Sequence, residues 1–354
     1  LSGYQRLIVE QPQAAENVIA LYDELRGLIL LEGDVTALPA TPREIFLSVG
    51  AAQATELASA IQQDIPGAEL LTVSGGEPRL AQYHRQAATT QPYFAVVMHP
   101  SGIPLRMVIK DKTKRVLKDH VGHRLGNELF AAIHTPIAWV REGERYVYIR
   151  EVRGNDIVDL LRELPEFDDE LTRRFFSALG VAMSEAHVLG AEDRAGNLVV
   201  SMRRLREIPN DELALLHNRA VMNIDRENVL TPRYLARPAI EDVEEVSRVI
   251  LALADFGLPQ HRSIFQEHVE DYLEGIRAGY QDTRAYFQTH RDQGAQEVMQ
   301  LAGDEYGPEI LRRLDLSDEE LEQLISNIRG AIVERWTSRK GSERPADKRP
   351  EGAD

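Results

Sequence analysis

The chain contains no cysteine, and only 2 tryptophans and 6 methionines among its 354 residues. Without cysteine there is no disulfide, no thiolate metal site and no cysteine nucleophile, and the redox compartment is left open. Long apolar runs are missing too. Nothing approaches the roughly 20 residues that a membrane-spanning helix requires. No basic-then-apolar leader opens the sequence, so a cytoplasmic location is expected, although Leu1 in place of Met leaves a trimmed leader open. Basic residues are scarce relative to acids: 41 Lys and Arg face 57 Asp and Glu, for a net charge of −16. That balance argues against broad attraction to nucleic-acid phosphates or anionic membranes, while allowing a local basic patch. What is present is an ordinary globular composition, 43% hydrophobic and 28% charged, at a length that suggests two domains of roughly 150 residues.

Hydrophobic spacing gives the order of elements. Val18, Leu21, Leu25 and Leu28 predict a helix over 17–30, followed by an alternating run at Ile45, Leu47 and Val49. A helix-like stretch with Leu57 and Ile61 leads to the strand-like Leu70–Val73, and Ser74-Gly75-Gly76-Glu77-Pro78 reads as a turn. Strands at Tyr93–Met98 and Leu105–Ile109 flank a hairpin connection, His99-Pro100-Ser101-Gly102. A helical stretch over about 114–133 precedes strands at Ile137–Val140 and Tyr146–Val152, joined by the polar turn Arg141–Arg145. Beyond Gly154 helical stripes dominate: Leu171, Phe175, Leu179 and Ala182; Val243, Val246, Val249, Ile250 and Leu253; and Leu321, Leu324, Ile328 and Ile332. The last stripe opens with a capping box, Ser317 and Glu320. Short apolar runs at Leu198–Val200 and Ala220–Ile224 interrupt this half, and 338–354 is a charged stretch expected to be a disordered tail. There is no internal repeat. The fold class expected is α+β, with a strand-rich front, a helix-rich back and a cleft between them.

Phosphoryl transfer requires a cation on the phosphates, an acid orienting that cation, metal ligands, and a carboxylate beside the attacking group. Lys110 ends the run Leu105-Arg106-Met107-Val108-Ile109, where an ammonium can reach phosphate oxygens; taken alone it also reads as a strand-end lysine reaching for water. Glu128, flanked by Leu125, Leu129 and Ile133, can orient Lys110 or simply sit on a solvated helix face. In Gly190-Ala191-Glu192-Asp193-Arg194-Ala195-Gly196-Asn197, a helix ends and a short strand follows. Asp193 suits orientation of an acceptor hydroxyl, and the Asn197 amide oxygen is a hard ligand for magnesium; the same residues also make good turn chemistry. Asp225, after Asn223-Ile224, is the second metal ligand in this reading.

These segments resemble the protein-kinase-like superfamily, especially its atypical branch of phosphatidylinositol kinases and secretory-pathway kinases. The carrying residues are Ala191-Glu192-Asp193-Arg194-Ala195-Gly196-Asn197, then Asn223-Ile224-Asp225, and in front the Ser-led loop at 74–78, the Pro100-Ser101-Gly102 hairpin and the strand into Lys110. The resemblance covers about residues 70–230. It implies a two-lobed kinase-like fold: an N-terminal α/β extension over 1–68, a strand-rich N-lobe over 69–153, a helical C-lobe over 154–337, and the tail. It implies an ATP- and magnesium-dependent phosphotransferase acting on a hydroxyl of a protein or small molecule, with no nucleic-acid partner. Lys110 and Glu128 would hold the α/β-phosphates, with Ser74, Gly75 and Gly76 above them and the adenine at Glu151 and Val152. Asp193 would position the acceptor, and Asn197 and Asp225 would hold magnesium.

The sequence departs from the family in three places. Asn197 follows Asp193 by four positions where the family has five, so Glu192 competes for the catalytic place. The metal site reads Asp225-Arg226-Glu227, and Gly75-Gly76 replaces a longer glycine-rich loop. Three alternatives stay open: a nucleotidyl-transferring enzyme of the same fold, a nucleotide-binding pseudokinase, and a helical interaction scaffold. Asp255-Phe256-Gly257 spells a kinase magnesium motif but closes a helical stripe ahead of Pro259, so it reads as a helix end. His120 and His123, three apart, read as a solvated helix face.

Overall fold

A computed structural model describes residues 46–47, 51–76, 92–100, 102, 104–129, 140–150, 155–192, 194–195, 197–206, 220–223, 229–256 and 262–340. The fold is mixed α+β and rich in helix. One antiparallel sheet is formed by β1 (Phe46–Leu47), β2 (Glu69–Gly76), β3 (Tyr93–Met98), β4 (Pro104–Asp111), β5 (Val140–Glu142) and β6 (Tyr146–Arg150), in the spatial order β1-β2-β3-β4-β6-β5. The register places Gly75, Tyr93, Ile109 and Tyr148 in one row across four strands.

Strand alternation decides what each sheet face meets. Tyr93, Ala95 and Val97 of β3, Met107 and Ile109 of β4, and Tyr146 and Tyr148 of β6 share one face. They form a core with Leu57 and Ile61 of helix α1 (Ala51–Asp64) and with Ile65 and Ala68 beyond it. The opposite parity carries Lys110, beside Val147 and Ile149, and helix α2 (Lys114–Leu129) packs against β5 and β6. Thus α1 and β1, which fall within the expected N-terminal extension, are joined to the sheet, one by packing and the other by pairing with β2.

The rest of the chain holds a three-stranded antiparallel sheet, β7 (Asn155–Asp156), β8 (Leu198–Val200) and β9 (Val221–Asn223). Its helices are α3 (Ile157–Leu160), α4 (Asp169–Val188), α5 (Met202–Arg206), α6 (Pro232–Leu235), α7 (Glu244–Phe256), α8 (Arg262–Glu267), α9 (Val269–Thr289), α10 (Arg291–Leu314) and α11 (Asp318–Lys340). Asp168 caps α4 by accepting the Leu171 N–H at 2.7 Å. At α11 the capping box forms as expected: Ser317 Oγ accepts the Glu320 N–H, and Glu320 Oε2 accepts the Ser317 N–H at 2.8 Å. No helix among the described residues is long and apolar enough to cross a membrane.

Helix α2 belongs to both halves. Leu125 lies in the large core of the helical half, and α10 packs on α2 with Glu297 reaching Arg124 at 3.7 Å.

The tightest packing joins α4 and α9. A Cβ added at Gly275 would stand 1.9 Å from the Ser177 carbonyl oxygen, and one at Gly180 would stand 2.0 Å from the Tyr272 carbonyl oxygen. Backbone therefore touches backbone, and neither side can yield without parting the helices. In an exposed helix Gly→Ala stabilises by roughly 1 kcal/mol. Gly275→Ala is expected to reverse that sign and cost at least about 2 kcal/mol by overpacking. Urea unfolding measures it, and a stabilised variant would refute this crossing.

Some expected boundaries move. Ser74, Gly75 and Gly76 end β2 instead of opening a turn, because Gly75 pairs with Leu47 on one side and Tyr93 on the other. The turn expected over Arg141–Arg145 begins at Gly143, since Arg141 and Glu142 belong to β5. Helix α11 runs to Lys340, two residues past the expected start of the tail; residues 341–354, like the expected helix over 17–30, lie outside the described residues.

Candidate functional site

Lys110 sits at the end of β4, and the chain enters α2 only three residues after Lys110's neighbour Asp111. That short link brings an early turn of α2 back over the strand end. The buried stripe of α2 runs Val116, Asp119, His120, His123, at helical spacing, and three of its four members are polar. Lys110 Nζ donates to Asp119 Oδ2 at 2.8 Å, and His123 Nε2 lies 3.1 Å from Asp119 Oδ1. Lys110 is 7% exposed, Asp119 0% and His123 2%, so this lysine does not snorkel to water. Burial by itself raises the Asp119 pKa. The charges of His123 and Lys110 and their hydrogen bonds outweigh it, holding the carboxyl well below the usual carboxylate range.

A carboxylate brought to Lys110 is thus that of Asp119. Glu128, the expected partner of Lys110, lies nine residues further along α2, with its side chain outside the described residues. The solvated reading of His120 and His123 is overturned, since both rings are buried. An Asp and a His four apart on the same stripe as Val116 was the available signal. It was missed because polar residues were assigned to the wet side.

A second cluster surrounds the exit of α4. Gly190 has φ +56°, the left-handed region glycine favours, and a Cβ there would meet Leu235 at 2.6 Å. The Leu230 N–H bonds the Leu189 carbonyl at 2.9 Å and the Thr231 N–H bonds the Gly190 carbonyl at 3.1 Å, tying this exit to the chain that follows β9. Buried Arg194 fixes the loop: its backbone N–H donates to Glu245 of α7 at 2.8 Å, and its Nε donates to the Glu192 carbonyl at 3.0 Å. Glu192 is half-buried; burial, then Glu245 and Glu244, raise the Tyr234 pKa, and the hydrogen bond and charge of Glu244 raise that of Arg233, with Glu192 the smallest contributor to each.

Asn197, half-buried, immediately precedes β8, and Leu198 pairs with Asn223. The start of β8 and the end of β9 that leads towards Asp225 therefore lie side by side. Asn223 is 2% exposed; its Nδ2 donates to the Ala182 carbonyl at 2.8 Å and to Glu185 Oε2 at 3.1 Å, and its Oδ1 has no partner among the described residues. Asp193, Asp225, Glu151 and Val152 lie outside the described residues. The backbone of Ser74, Gly75 and Gly76 reaches the same end of the sheet as Lys110, since Gly75 shares a row with Ile109. Arg150, the last residue of β6, pairs with Met107, three residues or ~10 Å along β4 from Lys110.

Asp255 lies in the last turn of α7 with an exposed side chain 3.5 Å from Arg262, consistent with a helix end. Among the described residues no three His, Asp or Glu side chains converge as a metal site. No protein-family model and no curated protein matches the chain.

Proposed function

We propose that the chain is an ATP- and magnesium-dependent phosphotransferase of two-lobed kinase-like fold, acting in the cytoplasm on a hydroxyl of a protein or small molecule. The observation that carries this reading is the buried Lys110–Asp119 pair, 2.8 Å apart, at the end of a strand and on the sheet face opposite α1. A buried lysine is costly unless its charge is used, and a carboxylate at this distance holds the ammonium ready for phosphate oxygens. In this reading residues 69–153 are the strand-rich lobe, 154–337 the helical lobe, and 1–68 an N-terminal extension, of which α1 packs on the sheet.

The donor set fits a hard divalent cation. The expected donors are the amide oxygen of Asn197 and the carboxylate of Asp225, with no sulfur; on β9, opposite Leu198, Asn223 Oδ1 is buried and unpartnered among the described residues. Bound magnesium-ATP supplies the phosphoryl group and the countercharge on its oxygens. The chain's own residues do the placing: Lys110 on the α- and β-phosphates, Asp193 on the acceptor hydroxyl, Asn197 and Asp225 on the cation. The Ser74–Gly76 end of β2 reaches the same end of the sheet as Lys110, and the adenine is assigned to Glu151 and Val152 by the resemblance alone. A pseudokinase is the second reading, favoured by the loop that is one residue short between Asp193 and Asn197.

Thermal unfolding with magnesium-ATP separates these readings. At 100 times its dissociation constant the ligand adds about 2.7 kcal/mol. A shift with phosphate transfer supports the enzyme, a shift without turnover supports the pseudokinase, and no shift removes the nucleotide site and leaves a scaffold. Asp193→Asn should retain binding and lower turnover at least about a hundredfold. Asp225→Ala should weaken magnesium-dependent binding as well. Glu192→Gln belongs beside them; full activity in all three would remove the catalytic loop from this segment.

A further inference from the structure

Asn223 is a buried amide in an otherwise apolar strand. Val221 and Met222 of β9 are buried with it, as are Leu198, Val199 and Val200 of β8. Asn223 pairs with Leu198, and residues opposed in an antiparallel ladder turn their side chains to the same sheet face. That face meets α4, where Ala182 and Glu185 stand about one helical turn apart. Asn223 Nδ2 donates to the Ala182 carbonyl at 2.8 Å and to Glu185 Oε2 at 3.1 Å. Both of these oxygens accept, which sets the amide with its nitrogen towards α4. An apolar side chain of the same size would fill the same space. What the amide adds is direction, because a buried hydrogen bond is lost when its ends shift.

Direction matters at this position. The β8–β9 ladder is three residues long, and Asn223 is its last member on β9, opposite the first on β8. Asn197 immediately precedes Leu198, and Asp225 follows Asn223 by two residues. Both expected cation ligands therefore depart from the Leu198–Asn223 pair. Through Asn223 that pair is tied to α4, and α4 is held in turn by its backbone contacts with α9 at Gly180 and Gly275.

Resting on the phosphotransferase reading, we infer that Asn223 is a positioning residue for the magnesium ligands. Clamped to Ala182 and Glu185, it fixes the strand pair that delivers Asn197 and Asp225, and it acts through those two residues. Groups that orient metal ligands typically hold about 10–100-fold of a site's affinity for the metal. An amide that only filled space would contribute stability and no preference for the cation.

The test compares the affinity of the full chain for ATP with magnesium and with a chelator, by calorimetric titration. The nucleotide's own change of charge on taking up the metal is common to every variant, so the ratio of the two affinities reports the protein's hold on the cation. Asn223→Leu, which keeps the volume and loses the donor, is expected to lower that ratio at least about tenfold while affinity without metal stays at the wild-type value. Glu185→Gln still offers an oxygen to Nδ2 and is expected to lose less of the ratio than Glu185→Leu. An unchanged ratio in Asn223→Leu, whatever its stability in urea, overturns the inference and leaves the nucleotide site standing. Equal losses in the two Glu185 variants overturn it as well. So does a failure of all three variants to fold, since Asn223 is then a residue of the fold alone. Wild type that binds ATP no more tightly with magnesium than without, or not at all, overturns the metal site of the phosphotransferase reading and this inference with it.

Discussion

Lys110→Met is expected to lower phosphate transfer by about 10²–10³-fold, the usual loss when one preorganised charge on a transferring group is removed. The difficulty with any such result is that Lys110 is also structural. Removing one member of a buried ion pair commonly costs about 3–5 kcal/mol, because the other is left buried and uncompensated. Here the cost is cushioned, since Asp119 keeps His123 at 3.1 Å. The double change Lys110→Met with Asp119→Leu separates the two roles. Replacing both charges by apolar groups of similar size is often neutral for stability, so urea unfolding should return towards wild type. Phosphate transfer should stay as low as in the single variant. A double variant with wild-type activity would make Lys110 a structural residue and end the phosphate assignment.

The same pair gives an acid signature. The folded-state pKa of Asp119 is depressed, so its contribution to stability is present above the unfolded value near 3.9 and is lost as pH falls below it. Lys110→Met removes part of that depression, which should flatten the acid limb of the stability curve.

The sequence was legible where periodicity meets burial. Tyr93–Met98 is a strand as read, its residues alternately buried and half-buried, and of the stripe Leu171, Phe175, Leu179 and Ala182 the last three are buried in α4. Ser317 and Glu320 announced α11 because capping is a local hydrogen-bond exchange that needs no tertiary information. The site was legible only in outline. Lys110 stood out as a cation ending an apolar strand, but its partner depends on how far α2 folds back, which is set by the short link after Asp111 and not by any local preference. Polar residues in α2 look like a wet face until the sheet and α10 are packed on either side. Gly75 and Gly76 look like a turn until β1 arrives to pair with them. Likewise nothing in the run around Gly275 says that Ser177, almost a hundred residues earlier, will lie against it.

Arg313→Ala is expected to cost about 3–5 kcal/mol, a large part of the 5–15 kcal/mol that holds a typical domain together. Arg313 is 0% exposed and reaches four parts of the helical half at once. Its Nη1 donates to the His187 carbonyl at 2.6 Å and to Asp242 Oδ2 at 2.8 Å; Nη2 donates to the Tyr234 carbonyl at 2.7 Å; Nε donates to Glu309 at 3.0 Å. His187 is the penultimate residue of α4, so this guanidinium fixes the point from which the Gly190–Asn197 loop departs. Lysine cannot replace it, because a single ammonium lacks the planar fork that serves acceptors in several directions. Arg313→Lys should therefore recover less than half of the loss. Asp242 supplies the sign of the pH dependence. Burial already raises its pKa, and Arg313 opposes the rise. Removing Arg313 raises it further, so the folded variant holds a proton that the unfolded chain releases above about pH 4. Stability of Arg313→Ala should then fall as pH rises through the elevated pKa, and the variant should lose less at pH 5 than at pH 7. Adding Asp242→Leu to Arg313→Met should recover at least about 1–2 kcal/mol by removing the stranded carboxylate, although the His187 and Tyr234 carbonyls stay unsatisfied. Urea unfolding at both pH values measures all of these. A loss in Arg313→Ala below about 1 kcal/mol, or one that does not change with pH, would mean that Arg313 and Asp242 are not the buried pair that anchors the loop.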